Sequence, residues 1–264
     1  EPTVRLYLRR YKMLDIILMK APAFVENFKE QFDLNFIQKD RWKYMVTGLG
    51  NTLKITAVAA IIGIVIGVLI AAVRTSYDKN EESLKIRGGF TWFIMRFLNF
   101  ICKIYLTVIR GTPVVVQLLI TYFIIFASSS NGVGVAIFAF GINSGAYVAE
   151  IFRGGIMSID EGQFEAGRSI GFNYFQTMRY IILPQMFKAV LPTLLNEFIA
   201  LLKETSVAGY VAVTDLTKAG SSISAATYSY YMPLLSVALV YLVIVMLLTK
   251  LAGLLERRLR KNER

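Results

Sequence analysis

An uninterrupted apolar run from Ile55 to Val73 constrains this chain more than any other feature. The run contains no charged side chain, and Lys54 and Arg74 flank it. At about 19 residues it is long enough to cross the hydrocarbon core of a bilayer as a helix. It is apolar on every side, whereas a helix in a soluble core is usually apolar on one face. The run therefore predicts an integral membrane protein, and a composition of 55% hydrophobic against 18% charged residues supports this.

The residue types that the sequence lacks exclude several kinds of site. There is no histidine, and Cys102 is the single cysteine, which excludes Ser-His-Asp and Cys-His catalytic pairs, multi-cysteine zinc sites and a disulfide within one chain. No Gly-Lys pair occurs, so the chain has no P-loop of the Gly-Lys-Ser/Thr type. We expect no catalytic residue, metal ligand or cofactor in this chain. The formal net charge of +11 gathers around hydrophobic segments, which indicates membrane topology and argues against nucleic-acid binding.

Further hydrophobic segments complete an all-α membrane domain of five predicted spans. The uncharged stretch 111–149 contains a polar break at 128–134, which predicts a helical hairpin. Residues 90–109 are apolar but contain Arg96 and Lys103, so we expect this segment at the cytoplasmic face rather than in lipid. The predicted spans are, in order, 44–73, the two halves of the hairpin, 184–202 and 231–255.

The predicted organisation has three parts: an amphipathic, interfacial segment 1–43 that is broken near Pro22, a transmembrane domain 44–258 and a cytoplasmic tail 259–264. The charged stretch 74–89 is expected to be a solvated loop. Five spans place the termini on opposite sides of the membrane. The basic tail indicates that the C-terminus is cytoplasmic, so the N-terminus is predicted outside. The nine Lys or Arg against six Asp or Glu in the first 43 residues run against that assignment.

A polar segment, 156–173, predicts a short helix between two stops. Ser158 and Glu161 have the spacing of a capping box, and acidic residues suit the positive N-terminal end of a helix. Gly171 suits a left-handed C-terminal stop, and Pro184 can open the following helix. A generic cytoplasmic loop would show the same capping features, so these alone do not identify a function.

Together with the sequence around it, this segment resembles the EAA loop of ABC-importer permeases. Glu165 and Ala166 are followed by Gly171 and, nine residues later, by an Ile-x-Leu-Pro sequence that ends at Pro184. Gly167 stands where the family usually has alanine. Further motifs are similar to those of the polar amino-acid subfamily: Arg110-Gly-Thr-Pro113, the stretch Asn143–Gly155, Leu202-Lys-Glu-Thr-Ser206 and Leu254-Leu-Glu-Arg-Arg258.

The resemblance implies a type I ABC importer permease, with five transmembrane helices, an N-terminal amphipathic segment and a cytoplasmic coupling helix. Such a chain pairs with a second permease chain, identical or related, in the bacterial inner membrane. Two ATPase subunits, which hold ATP and Mg²⁺, bind inside the cell, and an extracytoplasmic binding protein delivers an amino acid. The loop residues that the resemblance assigns to ATPase coupling are Asp160, Glu161, Phe164, Glu165, Ala166, Gly167, Arg168, Gly171 and Pro184.

Polar side chains within the predicted spans are candidates for a substrate path, because such groups are expensive in lipid and turn towards protein or water. Carboxylates at Glu150, Glu197 and Glu204 with Lys203 would bind the charged groups of an amino acid, or pair with one another as a gate. Bonding from helix to helix is the alternative role. The path candidates are Asn51, Arg110, Thr112, Asn143, Ser144, Tyr147, Glu150, Glu197, Lys203, Glu204 and Thr205.

The pair Thr112-Pro113 predicts a helix start within or near the membrane, because threonine caps helices and proline suits their first position. Such an N-terminus directs amide donors at an anionic group, and Arg110 beside it would strengthen the attraction.

Three alternatives remain open at this level. The first is a permease of the same superfamily for another solute, such as a sulfonate or methionine. The second is an ATP-independent channel or ion-coupled carrier, which would need no docking helix. The third is a membrane-embedded enzyme, for which the sequence offers no pair of nucleophile and base.

Overall fold

The computed structural model describes residues 26–261, and every regular element among them is helical. Residues 26–32 are helical and lead through two irregular turns into the first long helix. From there the α-helices are α1 Trp42–Arg87, α2 Gly89–Gly111, α3 Val114–Ile120, α4 Gly132–Met157, α5 Glu161–Ser169, α6 Tyr174–Thr177, α7 Leu183–Glu204, α8 Leu216–Thr227 and α9 Tyr231–Lys261.

Five stretches of the described chain are long and apolar enough to cross a membrane. This confirms the predicted all-α fold with five spanning helices. The last two lie close to their predicted positions, since the fourth contains α7 and the fifth begins at the predicted residue. The five stretches are Trp42–Lys79, Gly89–Gly111, Gly132–Met157, Tyr174–Val211 and Tyr231–Arg258.

The position predicted for the second span is wrong. Residues 90–109, expected at the cytoplasmic face, form the span-length helix α2, whereas Val114–Ile125 is a shorter apolar helix. The reason lies in the spacing of the basic residues of α2. Arg96 and Lys103 are seven residues apart and so share one face of the helix. Both line cavities that α2 shares with α1, while the rest of the helix exposes apolar side chains.

The charged stretch 74–89 is not the predicted solvated loop, because α1 continues through it to Arg87. Two of its charged side chains bind neighbouring helices. Asp78 Oδ2 lies 3.3 Å from Arg153 Nη1 of α4, and Lys79 Nζ lies 2.8 Å from Glu161 Oε1 of α5. These contacts support a helix where the sequence suggested only solvated charge.

The seam between α1 and α4 places the backbones of the two helices in close contact. Each helix has a Gly-x-x-x-Gly pair on this face, ending at Gly67 in α1 and at Gly145 in α4. A Cβ added to Gly67 would lie 2.5 Å from Val148 Cγ1, and one added to Gly145 would lie 2.9 Å from Ile66 Cγ2. The glycines are therefore packing residues, as small residues often are between membrane helices.

The described part of the N-terminal segment turns its polar side towards the protein. Asn35 is fully buried. Its Nδ2 donates to Ser229 Oγ at 3.3 Å, and its Oδ1 accepts from Thr227 Oγ1 at 2.8 Å. Phe28 and Phe32 are exposed. The break predicted at Pro22 lies outside the described residues, as do residues 262–264 of the predicted tail, and the interfacial position of this segment stays a prediction.

Candidate functional site

The short helix α5 begins with a cap that differs from the predicted one. Asp160 Oδ1 accepts a 2.7 Å hydrogen bond from the backbone N–H of Gly162. Ser158 instead donates its hydroxyl to the carbonyl of Gly155 at 2.8 Å. The predicted capping box of Ser158 and Glu161 is therefore wrong, because Ser158 closes α4 and the chain turns once more before α5 begins.

The predicted C-terminal stop of α5 is confirmed. Gly171 has a φ of +84°, in the left-handed region that favours glycine. Its N–H donates to Arg168 O at 2.9 Å, and Phe172 N–H donates to Gly167 O at 3.0 Å. These two bonds form a Schellman motif, which satisfies the last free carbonyls of the helix. Pro184 lies in the first turn of α7, as predicted.

One side of α5 is anchored against the spanning helices. Phe164 is buried in a cluster with Phe152, Ile156, Ile182 and Met186, among others, from α4, α7 and the turn between α6 and α7.

Lys79 of α1 reinforces this anchor. Its ammonium lies 4.2 Å from the centroid of the Phe164 ring and 2.8 Å from Glu161 Oε1. The hydrogen bond and charge of Lys79 lower the pKa of the Glu161 carboxyl below its usual range. Phe164 and Glu161 thus connect α5 to α4 and α1.

The opposite side of α5 is open to solvent, and Glu165, Ala166 and Arg168 are exposed. Gly167 is buried against Thr177, the last residue of the short helix α6. A Cβ at this position would lie 2.6 Å from Thr177 Cγ2 and 2.6 Å from Thr177 Oγ1. The glycine in place of the usual alanine thus has a local cause: Thr177 occupies the space that a methyl group would need.

The path candidates on α4 bind side chains from two other helices. Asn143 is buried, and its Nδ2 donates to Gln117 Oε1 at 2.9 Å. Gln117 also donates to Ile109 O at 2.7 Å and to Thr112 Oγ1 at 2.8 Å. Gln117 was not among the predicted path residues, although an amide in the apolar segment that follows Pro113 is a signal in itself.

Ser144, the next residue of α4, makes a second contact across helices. It is buried, and its hydroxyl donates to Glu197 Oε1 of α7 at 3.1 Å. Two consecutive residues thus bind α3 and α7 respectively. The chain therefore holds three helices together through polar side chains within the membrane domain, where an unpaired group would be expensive.

A chain of charged side chains connects α2, α4 and α1. Arg110 Nη1 lies 3.9 Å from Glu150 Oε2, and Arg153 Nη2 lies 3.5 Å from the same oxygen. Arg153 also pairs with Asp78. The Arg110 guanidinium lies 5.7 Å from the centroid of the Tyr147 ring. A cavity of about 600 Å³ opens here, lined by Arg74, Lys103, Leu106, Thr107, Arg110, Gly111, Tyr147 and Glu150.

The structure divides the predicted acidic cluster. Glu150 lies with two arginines, whereas Glu197 binds Ser144. Lys203 is exposed and forms no ion pair with the described residues, and Glu204 is half-buried at the end of α7. Thr205 donates its hydroxyl to Leu202 O at 2.8 Å within its own turn.

The remaining two candidates have structural partners. Asn51 Nδ2 donates to Thr214 O at 2.8 Å, which joins α1 to the segment before α8. The predicted capping role of Thr112 is wrong. Thr112 ends α2 and donates to Val108 O at 2.8 Å, while α3 begins at Val114 without a side-chain cap. The predicted helix start beside Pro113 is present.

Comparison with known proteins identifies the family. Residues 63–261 match the model of the family described as binding-protein-dependent transport system inner membrane component. The chain belongs to this family. It is thus an integral inner-membrane permease, which confirms the predicted family. The comparisons lend no support to the alternative of an ATP-independent carrier or channel.

Relatives cover nearly the whole membrane domain of this permease. It is 35% identical over 223 residues to the arginine transport system permease protein ArtQ of Bacillus subtilis, across 83% of this chain and 94% of ArtQ. It is 36% identical to the putative glutamine transport system permease protein GlnP of Rickettsia bellii, across 82% of this chain and 93% of that protein.

Solved structures agree with this fold. An amino acid ABC transporter with histidines has a TM-score of 0.72 and 36% identity to this permease, covering 84% of this chain and 98% of that chain. The inward-facing MetNI methionine ABC transporter has a TM-score of 0.67 with 19% identity, covering 83% of this chain and 97% of that chain, and so shares the fold.

Proposed function

We propose that this permease forms half of the membrane path of an ATP-driven importer for a polar amino acid. The observation that carries the proposal is the cavity at Arg110, where a guanidinium, the Glu150 carboxylate and the Tyr147 ring lie together. An amino acid has a carboxylate and an ammonium group, so its site needs both signs of charge. The arginine and glutamine permeases among the relatives support the same substrate class.

The polar contacts beside this cavity supply a way to open and close the path. Asn143 and Ser144 hold α4 to α3 and α7 through Gln117 and Glu197. Each contact is a single hydrogen bond, and such bonds between membrane helices contribute about 0.6 kcal/mol on average. Bonds of this size can be exchanged between an outward-facing and an inward-facing state without unfolding the helices. A partner drives the exchange only through a difference in its affinity for the two states.

The other parts of the importer are a second permease chain, two ATPase subunits that hold ATP and Mg²⁺, and an extracytoplasmic binding protein. The exposed side of α5, with Glu165, Ala166 and Arg168, is the proposed docking surface for the ATPase. Its buried side transmits the motion, since Phe164 and Lys79 connect α5 to α4 and α1. ATP hydrolysis belongs to the partner.

The proposed orientation places α5 and the C-terminus in the cytoplasm and the N-terminus outside. In this orientation α1 runs inwards, and its charged end at Asp78 and Lys79 reaches the level of α5. The basic residues after the fifth span then lie on the cytoplasmic side, as the positive-inside rule favours.

The first experiment tests the docking surface. The permease is purified with its ATPase, reconstituted with the binding protein and compared with Glu165→Lys. We expect the variant to lose ATPase copurification and at least tenfold of the amino-acid transport rate. The matched control is Glu30→Lys, which makes the same charge change at an exposed residue of the N-terminal segment. If Glu165→Lys retains as much ATPase as Glu30→Lys and the parent protein, the ATPase does not bind α5.

The second experiment tests the substrate site. Arg110→Gln should reduce amino-acid transport about tenfold while ATPase copurification stays normal, because Arg110 contacts Glu150 and Tyr147 and no residue of α5 lines its cavity. Arg110→Lys keeps the charge but loses the planar guanidinium, and should retain part of the activity. Normal transport by Arg110→Gln would contradict the assignment of this cavity.

A further inference from the structure

A second cavity, of about 400 Å³, lies between the end of α1 and the first half of α2. It shares only Lys103 with the cavity at Arg110. Three basic residues, Lys85, Arg96 and Lys103, line it together with a single carboxylate, that of Glu81. Glu81 already accepts a 3.2 Å hydrogen bond from the Tyr77 hydroxyl. The cavity therefore carries an excess of positive charge.

Asn99 supplies an independent sign that this cavity is built for a ligand. Its side chain is 3% exposed and lines the cavity. Its Oδ1 is buried and accepts no hydrogen bond from any described residue. Leaving such an acceptor unsatisfied is expensive in a protein interior, which favours a bound molecule that can donate to it. The cavity thus offers cations for an anionic group and one acceptor for a hydroxyl or amine donor.

The surroundings of the cavity are those of a membrane interface. Trp92 lies near the start of α2, and Arg96 stacks over its ring at 5.1 Å from the centroid. Tryptophan is enriched where the hydrocarbon meets the headgroups. Beyond it, α2 exposes a row of apolar side chains along its outer face, including Phe93, Phe97 and Ile104. A molecule that fills the cavity therefore meets charge at one end and an apolar helix face at the other.

We infer that this cavity binds the headgroup of an acidic phospholipid with a hydroxylated headgroup, such as phosphatidylglycerol. The phosphate lies near Arg96 and Lys103, the headgroup hydroxyl donates to Asn99 Oδ1, and the acyl chains follow the exposed face of α2. Basic pockets between spanning helices are suited to anionic headgroups on the cytoplasmic side, which is where the orientation proposed above puts the end of α1. The site requires no amino-acid substrate, and its test does not depend on the proposed import function.

The cavity contains its own reporter. The sequence has two tryptophans, and Trp42 stands at the opposite end of α1, so Trp42→Phe leaves Trp92 as the sole indole. The full-length chain with this change is mixed with phospholipid bearing brominated acyl chains, which quench nearby indole fluorescence. The probes are brominated phosphatidylglycerol and brominated phosphatidylcholine at rising mole fraction. We expect half-maximal quenching at a several-fold lower fraction of phosphatidylglycerol.

Variants assign this preference to the cavity. Each basic residue close to an anionic lipid surface is worth about fivefold in affinity, so Arg96→Gln should reduce the preference about fivefold. Arg96→Lys should keep most of it. The matched control is Lys250→Gln on α9, which removes the same charge from an exposed residue outside the cavity and should leave the preference unchanged.

Three results would overturn the proposal. Equal quenching by the two lipids in the parent chain shows that the cavity does not select an acidic headgroup, and this comparison needs no cavity variant that might misfold. An equal loss in Lys250→Gln assigns the preference to overall charge. Displacement of the brominated lipid by millimolar glycerol 3-phosphate assigns the cavity to a soluble phosphate compound and not to a lipid.

Discussion

The short helix α5 and the middle of α4 both contain polar groups, but these groups are satisfied in different ways. In α5 the two ends of the helix are closed by neighbouring residues: Asp160 caps one end and Gly171 closes the other. In α4, Asn143 and Ser144 are buried and find their partners on α3 and α7. Water can satisfy any group that α5 leaves free, whereas the bilayer offers no such alternative. The ends of α5 are therefore closed by local hydrogen bonds, whereas the buried polar groups of α4 depend on partners from other helices.

The largest expected effect lies where the two regions meet, at the end of α4. A Cβ at Gly155 would clash with Val190 Cγ1 of α7, whereas a Cβ at the neighbouring Gly154 would meet nothing within 4 Å. Gly155→Ala should therefore destabilise the protein by about 1–3 kcal/mol, the usual range for overpacking. The measurement is the thermal unfolding of the purified permease in detergent.

Gly154→Ala is the matched control for this prediction. Alanine is a better helix former than glycine by about 0.8–1.0 kcal/mol, so this variant should be neutral or slightly more stable. If both variants lose the same stability, the close contact of Gly155 with Val190 does not determine the effect.

The next effect tests the cap of α5. Asp160→Ala removes the side-chain acceptor for Gly162 N–H, and the loss of an N-cap costs about 1 kcal/mol. Amide hydrogen exchange across 161–169 should then accelerate about fivefold. Ser158→Ala should leave this exchange unchanged, since Ser158 binds Gly155 O. Faster exchange in Ser158→Ala than in Asp160→Ala would instead support the predicted cap by Ser158.

A smaller effect measures the pairing inside the membrane. Asn143→Leu, Gln117→Leu and the double variant form a thermodynamic cycle for one hydrogen bond between helices. We expect an interaction energy of about 0.6 kcal/mol, with an upper bound near 1.7 kcal/mol. The measurement is thermal or denaturant unfolding of all four proteins. Additive single effects would mean that the two amides do not cooperate, and the contrast with α5 would weaken.

The smallest effect concerns the surface ion pair of Lys79 and Glu161. Lys79 lowers the pKa of the Glu161 carboxyl, so the contribution of the pair is present above the ordinary glutamate range and is lost as the pH falls through the lowered pKa. Glu161→Gln should change hydrogen exchange in α5 only slightly at neutral pH, because Glu161 is exposed and water screens such pairs. The difference from the parent protein should vanish in strong acid.

A companion variant separates charge from packing at this site. Lys79→Gln should have a larger effect than Glu161→Gln, because the Lys79 ammonium also lies over the Phe164 ring at 4.2 Å. Equal effects of the two variants at neutral pH would mean that Lys79 acts on α5 only through its ion pair with Glu161 and not through the Phe164 ring.

Structure could be predicted from the sequence where neighbouring residues determine it, and could not where contacts with other helices determine it. The stop at Gly171 could be predicted because only a residue tolerant of positive φ fits there. The second span was predicted at the wrong position because Arg96 and Lys103 make the segment 90–109 expensive in lipid. In the structure these two side chains line cavities between α2 and α1. Their seven-residue spacing was the signal that placed both on one face.

Gln117 shows the same limit within the candidate path. Its amide joins Asn143 to the end of α2. From the sequence, however, the apolar segment that contains Gln117 is predicted only as one half of a membrane hairpin. A polar residue in such a segment indicates that a polar partner exists, but the sequence does not identify that partner.

The sequence by itself determined the membrane class, the number of span-length helices, the family and the C-terminal stop of α5, because hydrophobic length, residue spacing and backbone preferences act over a few neighbouring residues. Only the tertiary structure decided which apolar segment forms the second span-length helix, which residue caps α5 and which polar groups pair inside the membrane domain. Those outcomes depend on groups far apart in the sequence, 163 positions in the case of Asn51 and Thr214, and the energy of a buried polar group is set by the partner it meets.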